Sequence, residues 1–280
     1  MPSRLFPLIP SGAEMQRLSQ KAKSLLDFDE RKSAVRSSRE RAILREDALL
    51  ASIQYSSLME GDQLAGAPID LAAKIRGEGL LKAYVVVKSS AVCTSAPYSL
   101  ESVLLAHASW LDATATCSDR RSAFPALSLI SGKPGVLRSR DVVVGKHVAP
   151  EPGVVRSMIK RAEDSSRWLN SKPDKLIALL AHHHRFLWIH PFEDGNGRIA
   201  RMLLETGMEG LGLSGTWSMS KALSRHQDEF YRLLSQADQP RRGDLDGRGN
   251  LTHSGLVSLI DFMIDCATEA AADALGSSVS

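Results

Sequence analysis

His190-Pro191-Phe192-Glu193-Asp194-Gly195-Asn196-Gly197-Arg198-Ile199-Ala200-Arg201 is the stretch from which the rest of the chain can be read. A residue before proline is pushed out of the α region, so Pro191 ends any preceding helix at His190. Gly195 and Gly197 let the backbone turn tightly and approach a ligand with no Cβ in the way. A helix starting near Gly197 then offers unpaired N–H groups at its positive end, an arrangement that grips phosphate. Arg198 and Arg201, three apart, share a helix face and can clamp further phosphate oxygens. Asp194 stands just before this nest. A carboxylate there repels a phosphate unless a cation lies between them, and Mg²⁺ held by a carboxylate and phosphate oxygens meets that need. His190 alone in the loop can take a proton near neutral pH. Base, cradle and metal carboxylate together suggest transfer of a phosphorus-centred group to a hydroxyl. The bland alternative is a glycine-rich connection with a capping side chain and two solvated arginines. It explains each residue singly but not their convergence.

Working outward, the pattern is helical. Residues 173–188 form a helix that opens on Pro173, and Ile199 to Gly210 forms another, with Ile199, Met202 and Leu203 on its core face. Val154–Leu169, Ser220–Gln236 and Leu256–Ala274 read as further helices, and 242–250 as a polar loop. Residues 11–38 are polar and helix-friendly, with an exposed connection at Ser33–Glu40. From Ser38 to Met59 there is no Gly or Pro, which predicts a helix stopped by Gly61-Asp62. On that helix Leu49, Ile53, Ser56 and Glu60 follow one face. Residues 62–70 read as a loop and 71–113 as more helix with breaks. Between 131 and 153 glycines and prolines surround Val142-Val143-Val144, the best strand or hairpin candidate. The expectation is a mainly α fold with one short β element.

Composition bounds the rest. An apolar share of 43% and a charged share of 24% are ordinary for a globular chain of 280 residues. The formal charge of +3 and the lack of a long basic block argue against nucleic-acid or membrane partners. Cys93, Cys117 and Cys266 are too sparse for a disulfide framework or a zinc pair. No apolar run is long enough for a membrane span or a signal peptide, so a cytoplasmic location is expected.

The 190–201 segment resembles the signature of the Fic family, His-Pro-Phe-x-[Asp/Glu]-Gly-Asn-Gly-Arg-x-x-Arg, at every defined position. The likeness extends upstream through His183–Ile189 and covers roughly residues 100–265. It implies a Fic fold: a helical bundle core with a short β-hairpin flap over the site. It also implies a protein adenylyltransferase that moves AMP from ATP, with Mg²⁺, onto a Tyr, Ser or Thr hydroxyl of a protein target. In that reading His190 is the catalytic base and Asp194 holds the metal. The Gly195-Asn196-Gly197 backbone and the Asn196 side chain bind the α-phosphate, Arg198 the β-phosphate and Arg201 the γ-phosphate. Doc-type kinases, which resemble this motif, carry Lys where Gly197 stands, so glycine here favours AMP transfer.

Ser56-Ser57-Leu58-Met59-Glu60-Gly61 is similar to the inhibitory motif [Ser/Thr]-x-x-x-Glu-[Gly/Asn] of many Fic proteins, in the arrangement where the inhibitory helix precedes the core. The resemblance proposes that Glu60 pairs with Arg201 and denies it to the γ-phosphate; the bland alternative is an exposed Glu before a capping Gly. Three regions follow: an N-terminal helical region, 1–100, with the inhibitory helix at about 39–61; a Fic core, 101–265; and a helix end and tail, 266–280.

Weaker signals complete the picture. Val142, Val143 and Val144 fall in the flap, whose edge would hold an extended target segment by backbone pairing. Tyr231 resembles a position lining the adenine pocket, with core packing as its rival reading. Asp238 stands where some relatives place an Asn near the base. His182, His183 and His184 point about 100° apart on one helix and cannot share a metal. Asp244-Leu245-Asp246-Gly247 lacks the ligands of a calcium loop. Trp110 and Trp168 are expected in the core. Rival functions are another nucleotide donor, removal of AMP from a modified protein, or a non-catalytic interaction module. A homodimer remains open.

Overall fold

A computed structural model describes residues 8–61, 81–115, 132–145, 147–241, 246, 251–274 and 276. Helices α1 (Gly12–Ala34) and α2 (Ser38–Leu58) are followed by α3 (81–89), α4 (Ala91–Ser95) and α5 (Leu100–Ala115). A two-stranded antiparallel hairpin comes next, β1 (Val143–Val144) and β2 (His147–Val148), with Val143 opposite Val148 and Val144 opposite His147. The chain continues with α6 (Pro152–Ser165), α7 (Lys172–Ile189), α8 (Asn196–Gly210), α9 (Met219–Arg225), α10 (Gln227–Ala237) and α11 (His253–Ala274). The mainly helical fold with one short hairpin is the one expected.

Two helices form the centre. In α7 every residue from Leu176 to Phe186 is buried, and a helix buried on all sides must be enclosed by others. It packs against α1, α6, α8 and α11. Its start is set by Ser171, whose side chain accepts from the Asp174 N–H at 3.2 Å, and by Pro173 in the first turn. In α8, Ile199, Ala200, Met202, Leu203 and Leu204 have no exposure, and the helix touches α2, α4, α5 and α7. The 190–195 loop therefore joins the ends of two deeply packed helices, which fixes its position.

Several elements differ from expectation. The helix-friendly stretch at 11–38 does form a helix, from Gly12 to Ala34, but one with a buried face of Leu18, Ala22, Leu25 and Asp29 that its polar sequence did not mark. Asp29 accepts from Ser214 N–H at 2.6 Å, Ser214 Oγ at 2.8 Å and Trp217 Nε1 at 2.7 Å, so its charge is fully hydrogen-bonded where it is buried. The helix expected at 220–236 breaks at His226 (φ −116°, ψ 33°), whose ring reaches Glu269 on α11 at 3.0 Å. Trp110 is 1% exposed, but Trp168, in the connection after α6, is 67% exposed and belongs to no core. Asp246 accepts from Ser254 N–H at 3.0 Å, beside the start of α11. The loop expected at 62–70, the helix at 71–80 and most of the 242–250 loop lie outside the described residues, as does Cys117. Cys93 and Cys266 are buried free thiols. No described helix is long and apolar enough to cross a membrane.

Candidate active site

His190 is the C-cap of α7 and, among the described residues, the one non-glycine residue with positive φ (φ 50°, ψ 64°). A left-handed corner at a histidine costs energy and persists only where the surroundings enforce it. Here its N–H bonds to Phe186 O at 3.0 Å, and its imidazole bonds to the Leu187 carbonyl. That bond orients the ring and leaves the second nitrogen as acceptor. Burial pushes the imidazole down to about 4, the Leu187 bond opposing, so the ring is neutral at pH 7 and able to accept a proton.

The loop after it is shaped from inside. Both ends of the Asn196 amide engage Phe192: Oδ1 accepts from its N–H at 3.0 Å and Nδ2 donates to its carbonyl at 2.9 Å. Gly195 (φ 79°) lies flat on Trp110, where an added Cβ would come within 2.5 Å of the ring. Phe192 stacks on His107 at 3.7 Å between centroids. Asp194 Oδ1 accepts from Gly195 N–H at 2.5 Å, and Oδ2 has no partner among the described residues. The N–H groups of Asn196, Gly197 and Arg198, in the first turn of α8, have no intrahelical acceptor. The Arg198 guanidinium sits 5.6 Å over the Trp110 ring. An anion placed at this turn meets three N–H groups and two arginines, with a carboxylate oxygen available for a cation.

The end of α2 reaches into the same space. Arg201, 3% exposed, donates from Nε to Ser56 Oγ at 2.9 Å and from Nη2 to Ser56 O at 2.8 Å and Glu60 Oε1 at 2.7 Å. Glu60 lies just past the helix, which ends at Leu58, in a turn closed by Gly61 (φ 79°). Its Oε1 fills the space that a Cβ on Gly197 would need. Burial pushes the Glu60 carboxyl up, but Arg201, Arg198 and His190 outweigh it and hold it below its ordinary range. Tyr231, 39% exposed on α10, donates to Met59 O at 3.1 Å, so it borders this turn. Residues far apart in sequence, Ser56, Glu60, Arg201 and Tyr231, thus meet at one place.

The hairpin places Val143 and Val144, 63% and 43% exposed, on its first strand, with Val142 O accepting from Ala149 N–H at 3.1 Å below them. Asp238 accepts from, or shares a proton with, His184 Nε2 at 2.9 Å. His182 and His183 face elsewhere, toward Ser165 and toward Tyr98 and Ala200. The three histidines share no metal, and no cluster of three metal-ligating side chains exists among the described residues. Arg138 was not anticipated from the sequence: it is 4% exposed and donates to the His190 carbonyl at 2.8 Å. No motif marks it, because its partners are main-chain atoms.

Residues 98–207 match the model of the Fic/DOC family. The chain is similar to the "Protein adenylyltransferase Fic" of Drosophila melanogaster, 34% identical over 109 residues, 37% of this chain and 21% of that protein. It is 33% identical over 111 residues to the protein of the same name from Aedes aegypti, covering 38% and 20%. The chain spans about a fifth of the length of these curated relatives. Among solved structures, a Fic family protein from Desulfovibrio desulfuricans superposes with a TM-score of 0.67 at 17% identity, over 96% of this chain and 76% of that one. A Fic domain containing signalling protein from Bacteroides thetaiotaomicron gives 0.61 at 19% identity, over 96% and 100%. At these identities the structures establish the Fic fold.

Proposed function

We propose that this chain is a protein adenylyltransferase, transferring AMP from ATP to a Tyr, Ser or Thr hydroxyl of a target protein, and that Glu60 restrains it. The observation carrying this reading is one rigid corner that holds a neutral imidazole at His190 directly before an N–H nest at Asn196–Arg198. The likeness to relatives named protein adenylyltransferase supports it.

In this reading the target hydroxyl oxygen attacks the α-phosphorus while the free nitrogen of His190 takes its proton. The new bond is hydroxyl oxygen to phosphorus; the bond that breaks joins the α-phosphorus to the bridging oxygen, and pyrophosphate leaves. The N–H groups of the nest hold the α-phosphate, Arg198 the β-phosphate, and Arg201 the γ-phosphate once it is free. Asp194 Oδ2 fits a Mg²⁺ ion, which binds through one carboxylate plus phosphate oxygens and water. When bound, it would neutralise charge between the phosphates. The hairpin's exposed edge supplies backbone groups for an extended target segment. Tyr231 borders the nucleotide end of the site. With Glu60 on Arg201 the γ-phosphate lacks its arginine, and the same carboxylate lies against Gly197 of the nest.

The test is transfer of label from α-³²P-ATP with Mg²⁺ to the protein and to a lysate. Wild type should label weakly, Glu60→Gly strongly, and Glu60→Gly with His190→Ala not at all. A gain of roughly 5–150-fold is the range expected for a coupling of about 1–3 kcal/mol. Absence of label in every form would remove ATP as donor; competition by other nucleotides and release of AMP from a modified protein would then separate the remaining readings.

A further inference from the structure

The last carbonyls of α7 are capped by side chains from the hairpin and the segment before it. A helix leaves its final C=O groups without intrahelical partners. Here the Trp188 carbonyl meets His147 Nε2 of β2 at 2.7 Å. The Ile189 carbonyl accepts from Arg138 Nη2 at 3.3 Å and the His190 carbonyl from Arg138 Nε at 2.8 Å. The same guanidinium reaches outward: Nη1 donates to Arg140 O at 2.9 Å, and Nη2 also to Pro150 O. Arg140 and Pro150 flank the hairpin on either side. The Arg138 N–H bonds to Pro191 O at 2.9 Å, closing the corner from its far side.

Arg138 is 4% exposed, yet no carboxylate among the described residues lies within ion-pair distance of it. Burial lowers its pKa, and Asp141 offsets this only in part. A buried cation without a counter-ion is costly, and what compensates it here is the negative end of α7 and a set of carbonyl dipoles. A packing residue needs no guanidinium in such a place. A five-donor fork is what this set of carbonyls requires.

We infer that Arg138 is a positioning residue that fixes the hairpin and the left-handed corner at His190 as one unit, so that a target strand seated on the hairpin presents its hydroxyl in register with the imidazole. The inference rests on the adenylyltransferase reading for its kinetic consequence, but not for its structural one. It separates two tasks. The nest and arginines that hold the nucleotide lie on α8, whereas Arg138 touches the flanks of the hairpin and the end of α7. Loss of Arg138 therefore impairs transfer without impairing nucleotide binding.

Arg138→Met and Arg138→Lys are made in the Glu60→Gly protein, with folding checked by cooperative melting. Expected for Arg138→Met is a fall in kcat for transfer of about tenfold or more with the ATP Kd within about twofold of its parent. Arg138→Lys, which keeps the charge but cannot reach every carbonyl, should recover part of the loss. The second readout is the His190 imidazole titration by NMR, assigned with His190→Ala. Without the Arg138 charge, and with the corner open to water, its midpoint moves up from its depressed position in the Glu60→Gly parent toward the ordinary 6.5. If Arg138→Met does not fold, Arg138→Gln, which also removes the charge, carries both measurements. A kcat unchanged in a folded variant with an unmoved His190 midpoint would overturn the inference, as would ATP affinity falling in step with kcat. If the Glu60→Gly parent itself transfers nothing from ATP, the functional reading fails, while the His190 titration still decides the role of Arg138.

Discussion

At the scale of single residues, His190 and Gly195 carry the sharpest expectations. The neutral imidazole is available at any pH above its midpoint of about 4. Transfer by the Glu60→Gly protein should thus stay level between about pH 6 and pH 8, where an ordinary histidine would titrate, and fall only on stronger acidification. Initial rates across that range check this; a decline centred near 6.5 would mean a His190 exposed to water. Glu60 raises the His190 midpoint, so the Glu60→Gly protein shifts it further down, not up. Gly195→Ala places a methyl 2.5 Å from Trp110 in a backbone with φ 79°. Strain of about 1–3 kcal/mol, seen in urea unfolding, should accompany a displaced nest and lost transfer. Most of this was legible in the sequence, because Gly, Pro and Arg at fixed spacing announce a turn, a helix start and an anion. Asn196 shows the boundary of such reading. Its presence in the loop was plain, but not that its amide would hold Phe192.

Elements are where the sequence became quieter. That α2 forms was evident from 21 residues without a breaker, and the Ser37–Glu40 capping box begins it where expected. That its end docks on Arg201 came from a short pattern, and only a partner found across 141 residues of sequence gives that pattern meaning. Ser56 belongs to this dock as much as Glu60 does, since it gives Arg201 both its hydroxyl and its carbonyl. Ser56→Ala removes one hydrogen bond to a buried charge, worth about 1.5–3 kcal/mol. Resting transfer should rise, by less than in Glu60→Gly because the carboxylate remains; the α-³²P-ATP assay reads both on one scale. The hairpin was visible from its β-branched run and surrounding glycines. Its tie to α7 was not, because Arg138 and His147 bond to carbonyls, which every residue possesses and no pattern marks.

Across the whole molecule, α1 is the element whose role the sequence concealed. Its sequence reads only as polar and helix-friendly, and packing shows that it covers α7 and α11. Asp29 anchors it to the Ser214–Trp217 turn ahead of α9. Asp29→Ala leaves these donors unpaired in the interior and should lower stability by about 2–4 kcal/mol, measured by urea unfolding with Trp217 fluorescence as a local probe. The same turn also receives α2: Arg45 Nε donates to Ser214 O at 2.8 Å, and Ser52 Oγ bonds to Ser218 Oγ at 3.0 Å. An Asp29→Ala protein that loosens this turn should therefore loosen α2 as well.

Glu60 and Arg201 belong to one chain, and that tether has a consequence for how restraint can be lifted. An inhibitor on a separate protein leaves when both are diluted. A tethered carboxylate keeps an effective concentration of about the millimolar order whatever the protein's abundance. Dilution, degradation of a partner or a change in expression leaves this pair intact. Release falls instead to agents that compete for Arg201 or that pull α2 from its seat on α9 and the Ser214 turn. If Glu60 restrains transfer as proposed, every copy of the molecule carries that restraint from the moment it folds.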